Sequence, residues 1–234
     1  MALRKKKKLV SKDARRKLIT AIAPKSPISE QYRTVRTNIQ FSSIDNEIRT
    51  IMVTSSGPAE GKSTTVANLA VTFAQLGKKV LLVDADLRKP TVHHTFATEN
   101  LFGFTTVLTK QRSLEKTVVA TSESDLYILP SGPIPPNPAE LLSSKSMEQF
   151  MEEAKELFDY VLFDTPPLLA VADPQIIANK CDGTILVVFS EKTEIESAKK
   201  GKELLQNAQS KLLGVVLNAK EAQKGDYYYY YGTK

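Results

Sequence analysis

Residues 55–65 read SSGPAEGKSTT, set between the β-rich run IRTIMVTSS from Ile48 and a helix-prone stretch, Lys62 to Leu76, that stops at Gly77. The pattern G-x-x-x-x-G-K-[ST] is met at every position but the first, where Ser56 stands for glycine and Gly57 comes one residue late. GKST after a strand and before a helix is the context in which such a loop cradles phosphate. That task needs backbone N–H groups aimed at an anion, the positive end of a helix dipole and a long cation. Gly57 and Gly61 let the backbone approach, Lys62 reaches the β- and γ-oxygens, and Ser63 can ligate Mg²⁺. The candidate nucleotide-binding residues are therefore Ser56, Gly57, Pro58, Ala59, Glu60, Gly61, Lys62, Ser63 and Thr64.

Two further stretches end in acids. VLLVDADLR places Asp84 and Asp86 just beyond a strand, and VLFDTPP places Asp164 beyond another. In an open parallel sheet, ligands gather at the carboxyl ends of strands. Each acid alone would be an ordinary cap or turn residue. In this order behind a phosphate loop, they form a candidate cation site of Ser63, Asp84, Asp86 and Asp164. Mg²⁺ needs few protein oxygens and keeps several waters, so Ser63 with water-mediated Asp86 and Asp164 suffices. Asp84 is then available as base or orienter, and Lys62, Asp84 and Asp86 are the candidate catalytic residues. Asn218 ends the strand VVLN, where its amide could meet an adenine edge, although Asn after a strand is more often a turn residue. His93 and His94 are adjacent and point different ways, so no metal is assigned to them.

Strands alternate with helices along the rest of the chain. DLYILP, DYVLFD, GTILVVF and KLLGVVLN read as strands, SGPIPPNP as a proline-rich loop, and about 138–157 and TEIESAKKGKELLQNAQ as helices. Ser29 is expected to cap an early helix, SEQYRTVRTNIQF. The predicted fold is α/β: a mostly parallel twisted sheet flanked by helices on both faces, of the P-loop NTPase kind. The expected divisions are a basic extension over 1–27, the folded domain over 28–218 and a flexible tyrosine-rich tail over 219–234.

The 234 residues, 41% hydrophobic and 25% charged, suffice for one large domain. A lone cysteine, Cys181, excludes an internal disulfide and reads as a small buried residue before a strand. The longest apolar runs fall far short of the ~20 residues of a membrane-spanning helix, which points to a cytoplasmic protein. The net charge of +6 concentrates in RKKKK at 4–8 and in Lys12, Arg15, Arg16 and Lys17. This arm is either simply solvated or drawn to anionic lipid or an acidic partner. No aromatics interleave with the charges, so nucleic acid is not expected.

The chain closes with KGDYYYYYGTK, in which Tyr227, Tyr228, Tyr229, Tyr230 and Tyr231 account for five of its eight tyrosines. No core periodicity explains the run. Together with the loop and the acids it resembles the bacterial P-loop protein-tyrosine kinases, called BY-kinases, over about residues 28–234. SSGPAEGKST resembles the family's Walker A, VLLVDADLR its Walker A′ and YVLFDTPP its Walker B. EQYRTVR matches E-x-x-R-x-x-R through Glu30, Arg33 and Arg36, which the resemblance places at a contact between subunits of a homo-oligomeric ring. It further implies ATP and Mg²⁺ as cofactors, autophosphorylation of the tyrosine cluster in trans, and phosphorylation of other proteins that bear tyrosine. A transmembrane activator whose cytosolic tail recruits the chain to the inner face of the membrane is also implied, with control of capsular or extracellular polysaccharide synthesis as the role. The rival reading is a partitioning or division-site ATPase. Such proteins carry an extra lysine early in the loop, and SSGPAE has none.

Overall fold

The computed structural model describes residues 18–42 and 47–221. The basic arm through Lys17 and the cluster Tyr227–Tyr231 lie outside the described residues. Among those described, strands β1 (Thr50–Ser55), β2 (Val80–Asp84), β3 (Val119–Ala120), β4 (Leu126–Leu129), β5 (Tyr160–Asp164), β6 (Gly183–Phe189) and β7 (Leu212–Asn218) form one sheet. Its order is β3-β4-β2-β5-β1-β6-β7. Every neighbouring pair is parallel except β3 with β4.

The helices are α1 (Ile19–Ile22), α2 (Pro27–Phe41), α3 (Lys62–Ala74), α4 (Val92–Thr95), α5 (Phe104–Leu108), α6 (Pro138–Leu142), α7 (Lys145–Leu157), α8 (Asp173–Lys180) and α9 (Ile195–Asn207). They cover both faces of the sheet, and side chains alternate between two cores. Ile51 and Val53 of β1 join Leu69 and Phe73 of α3, whereas Met52 joins Phe104, Phe150 and Ile177 on the other face. Leu82 and Leu81 of β2 divide in the same way. A strand buried on both faces has no polar side to show, and this is why β1, β2 and β5 read as unbroken apolar runs. Parallel pairing also brings the carboxyl ends of β1, β2 and β5 to one edge. Asp84 pairs in register with Asp164, and Asp164 with Val53.

Several expectations require correction. The early helix begins at Pro27, not after Ser29: Ser26 is the cap, and its Oγ accepts the Ser29 N–H at 3.2 Å. Proline at the first helical position has its φ preset and no N–H to satisfy, so the helix starts before the residue chosen from sequence. Ser29 is instead buried, and its hydroxyl donates to the Ala23 carbonyl at 2.8 Å. Residues 18–26 are packed and do not form a free extension. Thr20 is fully buried, its N–H and hydroxyl both donate to Asn68 Oδ1, and Gln75 donates to the Thr20 carbonyl. The span 138–157 breaks into two helices at Ser144, which is extended (φ −74°, ψ 161°). Helix α8 had no counterpart in the sequence reading.

Candidate active site

The loop between β1 and α3 is braced from several sides. Ser55 Oγ donates to the Gly57 carbonyl at 2.7 Å, and the Ser56 N–H donates to Glu60 Oε2 at 3.1 Å. Glu60 thus clasps the first loop position to the fifth from a nearly buried site. Gly61 caps α3 at φ +95°, a conformation that side chains resist. A Cβ there would lie 2.1 Å from Asn218 Nδ2. Asn218, at the end of β7, donates from that nitrogen to the Glu60 carbonyl at 3.0 Å. The predicted adenine reader therefore has its NH₂ group engaged in bracing the loop.

Ser56, the departure from the glycine pattern, sits under α9. A Cβ on Gly201 would come within 2.9 Å of its Oγ. The segment after β5 is pinned to the same place, because the Leu168 N–H donates to the Ser55 carbonyl at 2.8 Å and that of Leu169 to the Ser56 carbonyl at 3.2 Å.

Lys62 leaves the first turn of α3 and enters the acids. Its Nζ lies 3.3 Å from Asp86 Oδ2, 3.5 Å from Asp164 Oδ1 and 3.2 Å from Ser63 Oγ. Asp84 Oδ2 accepts the N–H groups of Thr91 and Val92, both at 2.9 Å, and Asp86 Oδ1 accepts that of Lys89 at 3.0 Å. The structure thus gathers Lys62, Ser63, Asp84, Asp86 and Asp164 at one place. Asp86, at 4% exposure, is nearest the rim, whereas Asp84 and Asp164 are at 0%.

Burial pushes Asp84 up to about 8. The neighbouring Asp164 adds to the shift, and the N–H groups of Val92 and Thr91 only partly offset it. Burial likewise raises Asp164 against the opposing pull of Lys62 and Ser63. For Lys62, burial works against the charge, but Asp164 and Asp86 outweigh it and hold the ammonium above its ordinary value.

Three acids surround one ammonium, and burial holds Asp84 and Asp164 against ionising there, so added positive charge would favour their charged forms. Asp84 Oδ1 is also buried without a hydrogen-bond partner, and Asp164 Oδ1 has the Lys62 ammonium no nearer than 3.5 Å. Both features fit a divalent cation. Among the described residues, no group of three or more acids, histidines or cysteines is arranged to hold a metal ion by itself. This suits an ion that takes one or two protein oxygens and fills its shell with water and phosphate.

A family profile described as an AAA domain matches residues 48–213, which include the phosphate loop and all three acids. Over 234 residues the chain is 57% identical to the tyrosine-protein kinase YwqD of Bacillus subtilis (strain 168), spanning 100% of this chain and 98% of that protein. This chain belongs to the bacterial P-loop tyrosine-protein kinases. The crystal structure of the chimerical protein CapA2B2 matches it with a TM-score of 0.86 at 42% identity, covering 88% of this chain and 91% of that one. The septum site-determining protein MinD, complexed with Mg-ADP, from Pyrococcus horikoshii OT3 matches with a TM-score of 0.64 at 25% identity, over 75% and 72% of the two chains. The kinase shares its nucleotide-binding fold with such division ATPases, but its likeness to them is weaker overall and its loop SSGPAE has no early lysine.

Around this kinase site, two features went unpredicted. Arg88 makes a two-pronged pair with fully buried Asp173, from Nε to Oδ2 at 2.8 Å and from Nη2 to Oδ1 at 3.0 Å. The pair ties the Asp84–Asp86 loop to α8. Thr91 holds Asp84 through its N–H and comes within 3.5 Å of Asp164 through its hydroxyl. Neither carries a motif, but the Asp173-Pro174 start of α8 is a helix-opening signal that was available.

The three residues of the expected subunit contact are divided. Glu30 and Arg33 pair with each other on the surface of α2, whereas Arg36 Nη1 donates to the Thr72 carbonyl of α3 at 2.7 Å. One Arg36 nitrogen is thus engaged within the fold, whereas Glu30 and Arg33 pair on the surface. Cys181 is free and buried just ahead of β6, with its thiol pushed up by burial. His93 and His94, expected to point different ways, instead lie in α4 with ring centroids 3.8 Å apart. No helix among the described residues is long and apolar enough to cross a membrane.

Proposed function

We propose that this chain transfers the γ-phosphate of ATP to tyrosine hydroxyls, on the Tyr227–Tyr231 cluster of a neighbouring copy and on other proteins. The observation that carries the reading is the set of three buried acids around Lys62 and Ser63, in a chain that ends in a tyrosine run. Residues Ser56 to Thr64 would wrap the phosphates, with the N-terminus of α3 aimed at them. Ser63 would hold Mg²⁺, with Asp86 and Asp164 joined through water. Bound there, the metal would supply positive charge to the β- and γ-phosphate oxygens.

Lys62 would turn from Asp86 and Asp164 to the γ-phosphate, where charge spreads in a loose transition state. Freed of Lys62, Asp86 at the rim would take the tyrosine proton late in the transfer. Asp84 is fully buried with Oδ2 held by backbone, and this suits it to orienting through Oδ1. The free oxygen of the Asn218 amide, Oδ1, can still meet the base. Glu30 and Arg33 would contact the next subunit of a ring, and a transmembrane activator would bring the assembly to the inner membrane face. Its role would be control of capsular or extracellular polysaccharide synthesis.

The test is intact mass after incubation with ATP and Mg²⁺, for the full chain, a Lys62→Ala variant and a chain ending at Asp226. The expectation is several phosphates on the full chain and none on either variant. Steady ATP hydrolysis with no mass gain, even with a candidate activator tail added, would favour the ATPase reading.

A further inference from the structure

We propose that Lys192 is a positioning residue for the nucleotide: from the solvent side of the phosphate loop it holds the Ala59–Glu60 peptide so that the Glu60 N–H faces the phosphates. The proposal deepens the reading of residues 56–64 as a phosphate cradle and rests on it, but not on which molecule receives the phosphate.

Ala59 is where the loop needs holding. Its φ is +58°, a left-handed conformation that a residue with a Cβ resists. Lys192 Nζ donates to the Ala59 carbonyl at 3.2 Å, and both residues are exposed. The peptide is trans, so the Ala59 carbonyl and the Glu60 N–H lie in one plane and point in opposite directions. A donor that draws the carbonyl toward solvent therefore turns the N–H inward. The next peptide repeats the arrangement. Asn218 Nδ2 holds the Glu60 carbonyl at 3.0 Å, and the Gly61 N–H points away from it. Neither the Glu60 nor the Gly61 N–H donates to an acceptor among the described residues. Successive free N–H groups beside Lys62 are what an anion site offers.

The brace is built into the fold. Lys192 sits in a turn after β6 that closes on itself. The N–H groups of Lys192 and Thr193 donate to the Phe189 carbonyl at 3.3 and 3.0 Å, and the Phe189 N–H donates to Thr193 Oγ1 at 2.9 Å. The Lys192 ammonium lies 5.4 Å over the Phe189 ring, which keeps it near its root. The Ser190 N–H donates to the Asn218 carbonyl at 2.8 Å, so the two residues that hold the loop are joined where β6 and β7 end.

Two simpler roles make different predictions. A lysine acting only as a charge would attract nucleotide through a field that salt screens, and would be indifferent to the side chain at position 59. A lysine that only tied down a surface turn would change unfolding and not binding. The positioning role depends on the Cβ of Ala59. Glycine adopts φ +58° without resistance, so a loop with glycine there needs the brace less.

The test is a double-mutant cycle on the full chain, read as ADP affinity by calorimetry with Mg²⁺ present. Lys192→Ala should weaken ADP about fivefold, as for losing one surface hydrogen bond from a charged donor. Lys192→Arg keeps a donor and should restore binding. In an Ala59→Gly background, Lys192→Ala should cost about twofold or less. Equal losses in the two backgrounds, or a loss that vanishes at high salt, would make Lys192 a distant charge and overturn the proposal. A lower Tm of nucleotide-free Lys192→Ala would place its effect in the fold at large and overturn it too. In the ADP-free chain, the Glu60 amide nitrogen shares its peptide with the Ala59 carbonyl. Its NMR chemical shift should change in Lys192→Ala and return toward the wild-type position in Lys192→Arg, and an unchanged shift overturns the brace. Should the wild-type chain bind no ADP, the cradle reading fails on its own, and this shift decides the brace.

Discussion

Replacing Asp84 with asparagine should make the protein more stable at neutral pH. Burial beside Asp164 raises the folded carboxyl from its ordinary 3.8 to about 8. In the unfolded chain it ionises near 3.8. Between these values the folded state binds more protons than the unfolded one, so this group's contribution to stability falls as pH rises. The loss begins near pH 4 and runs through pH 8. At pH 7 it amounts to about 4 kcal/mol, at 1.36 kcal/mol per unit over roughly three units. Asparagine is close in shape to the protonated acid, and its carbonyl oxygen can keep the N–H groups of Thr91 and Val92. It therefore removes the penalty without removing the contacts. For a chain of this size the gain corresponds to a Tm roughly 10 °C higher. The assay is thermal unfolding of both full-length proteins from pH 4 to pH 8 with a chelator present. The difference should be near zero at pH 4 and widen steadily above it. A variant that is less stable at pH 7, or an offset independent of pH, would refute the argument that Asp84 is a buried acid held against its charge.

Three further outcomes follow from the geometry. Gly61→Ala must place a Cβ at φ +95° against Asn218 Nδ2, so ADP affinity should fall roughly 30- to 150-fold, from about 2–3 kcal/mol of strain, in a fluorescence titration. Arg88→Ala leaves the fully buried Asp173 carboxylate without its partner and should cost about 3 kcal/mol in urea unfolding, whereas Asp173→Asn, which removes the charge as well, should cost less. Asn218→Ala deletes one hydrogen bond to the Glu60 carbonyl and should weaken ADP binding about fivefold, from roughly 1 kcal/mol, with little change in global stability by calorimetry.

What was legible in the sequence was local, and what was not legible depends on contacts far apart along the chain. The loop from Ser56 to Thr64 declares itself because strand, glycines, lysine and helix follow one another directly. Asp84 and Asp164 could be placed because each ends an apolar strand, and parallel strands bring those ends to one edge. Helix α8 offered much less: its eight residues carry a weak stripe, with Ile177 and Ala178 as its buried apolar side chains apart from Pro174. Helix α1 is four residues long and is held by Asn68, 48 positions away. The Arg88–Asp173 pair spans 85 positions, and the strand order that brings its ends together is not written in any periodicity.

Asn218 shows this limit most clearly. As the last residue of a strand it looked like a turn residue or an adenine reader, whereas its NH₂ group reaches back 158 positions to the Glu60 carbonyl. The segment bearing the tyrosines begins immediately after it. The residue that braces the phosphate loop is therefore also the last strand residue before the tyrosine-bearing segment of the sequence.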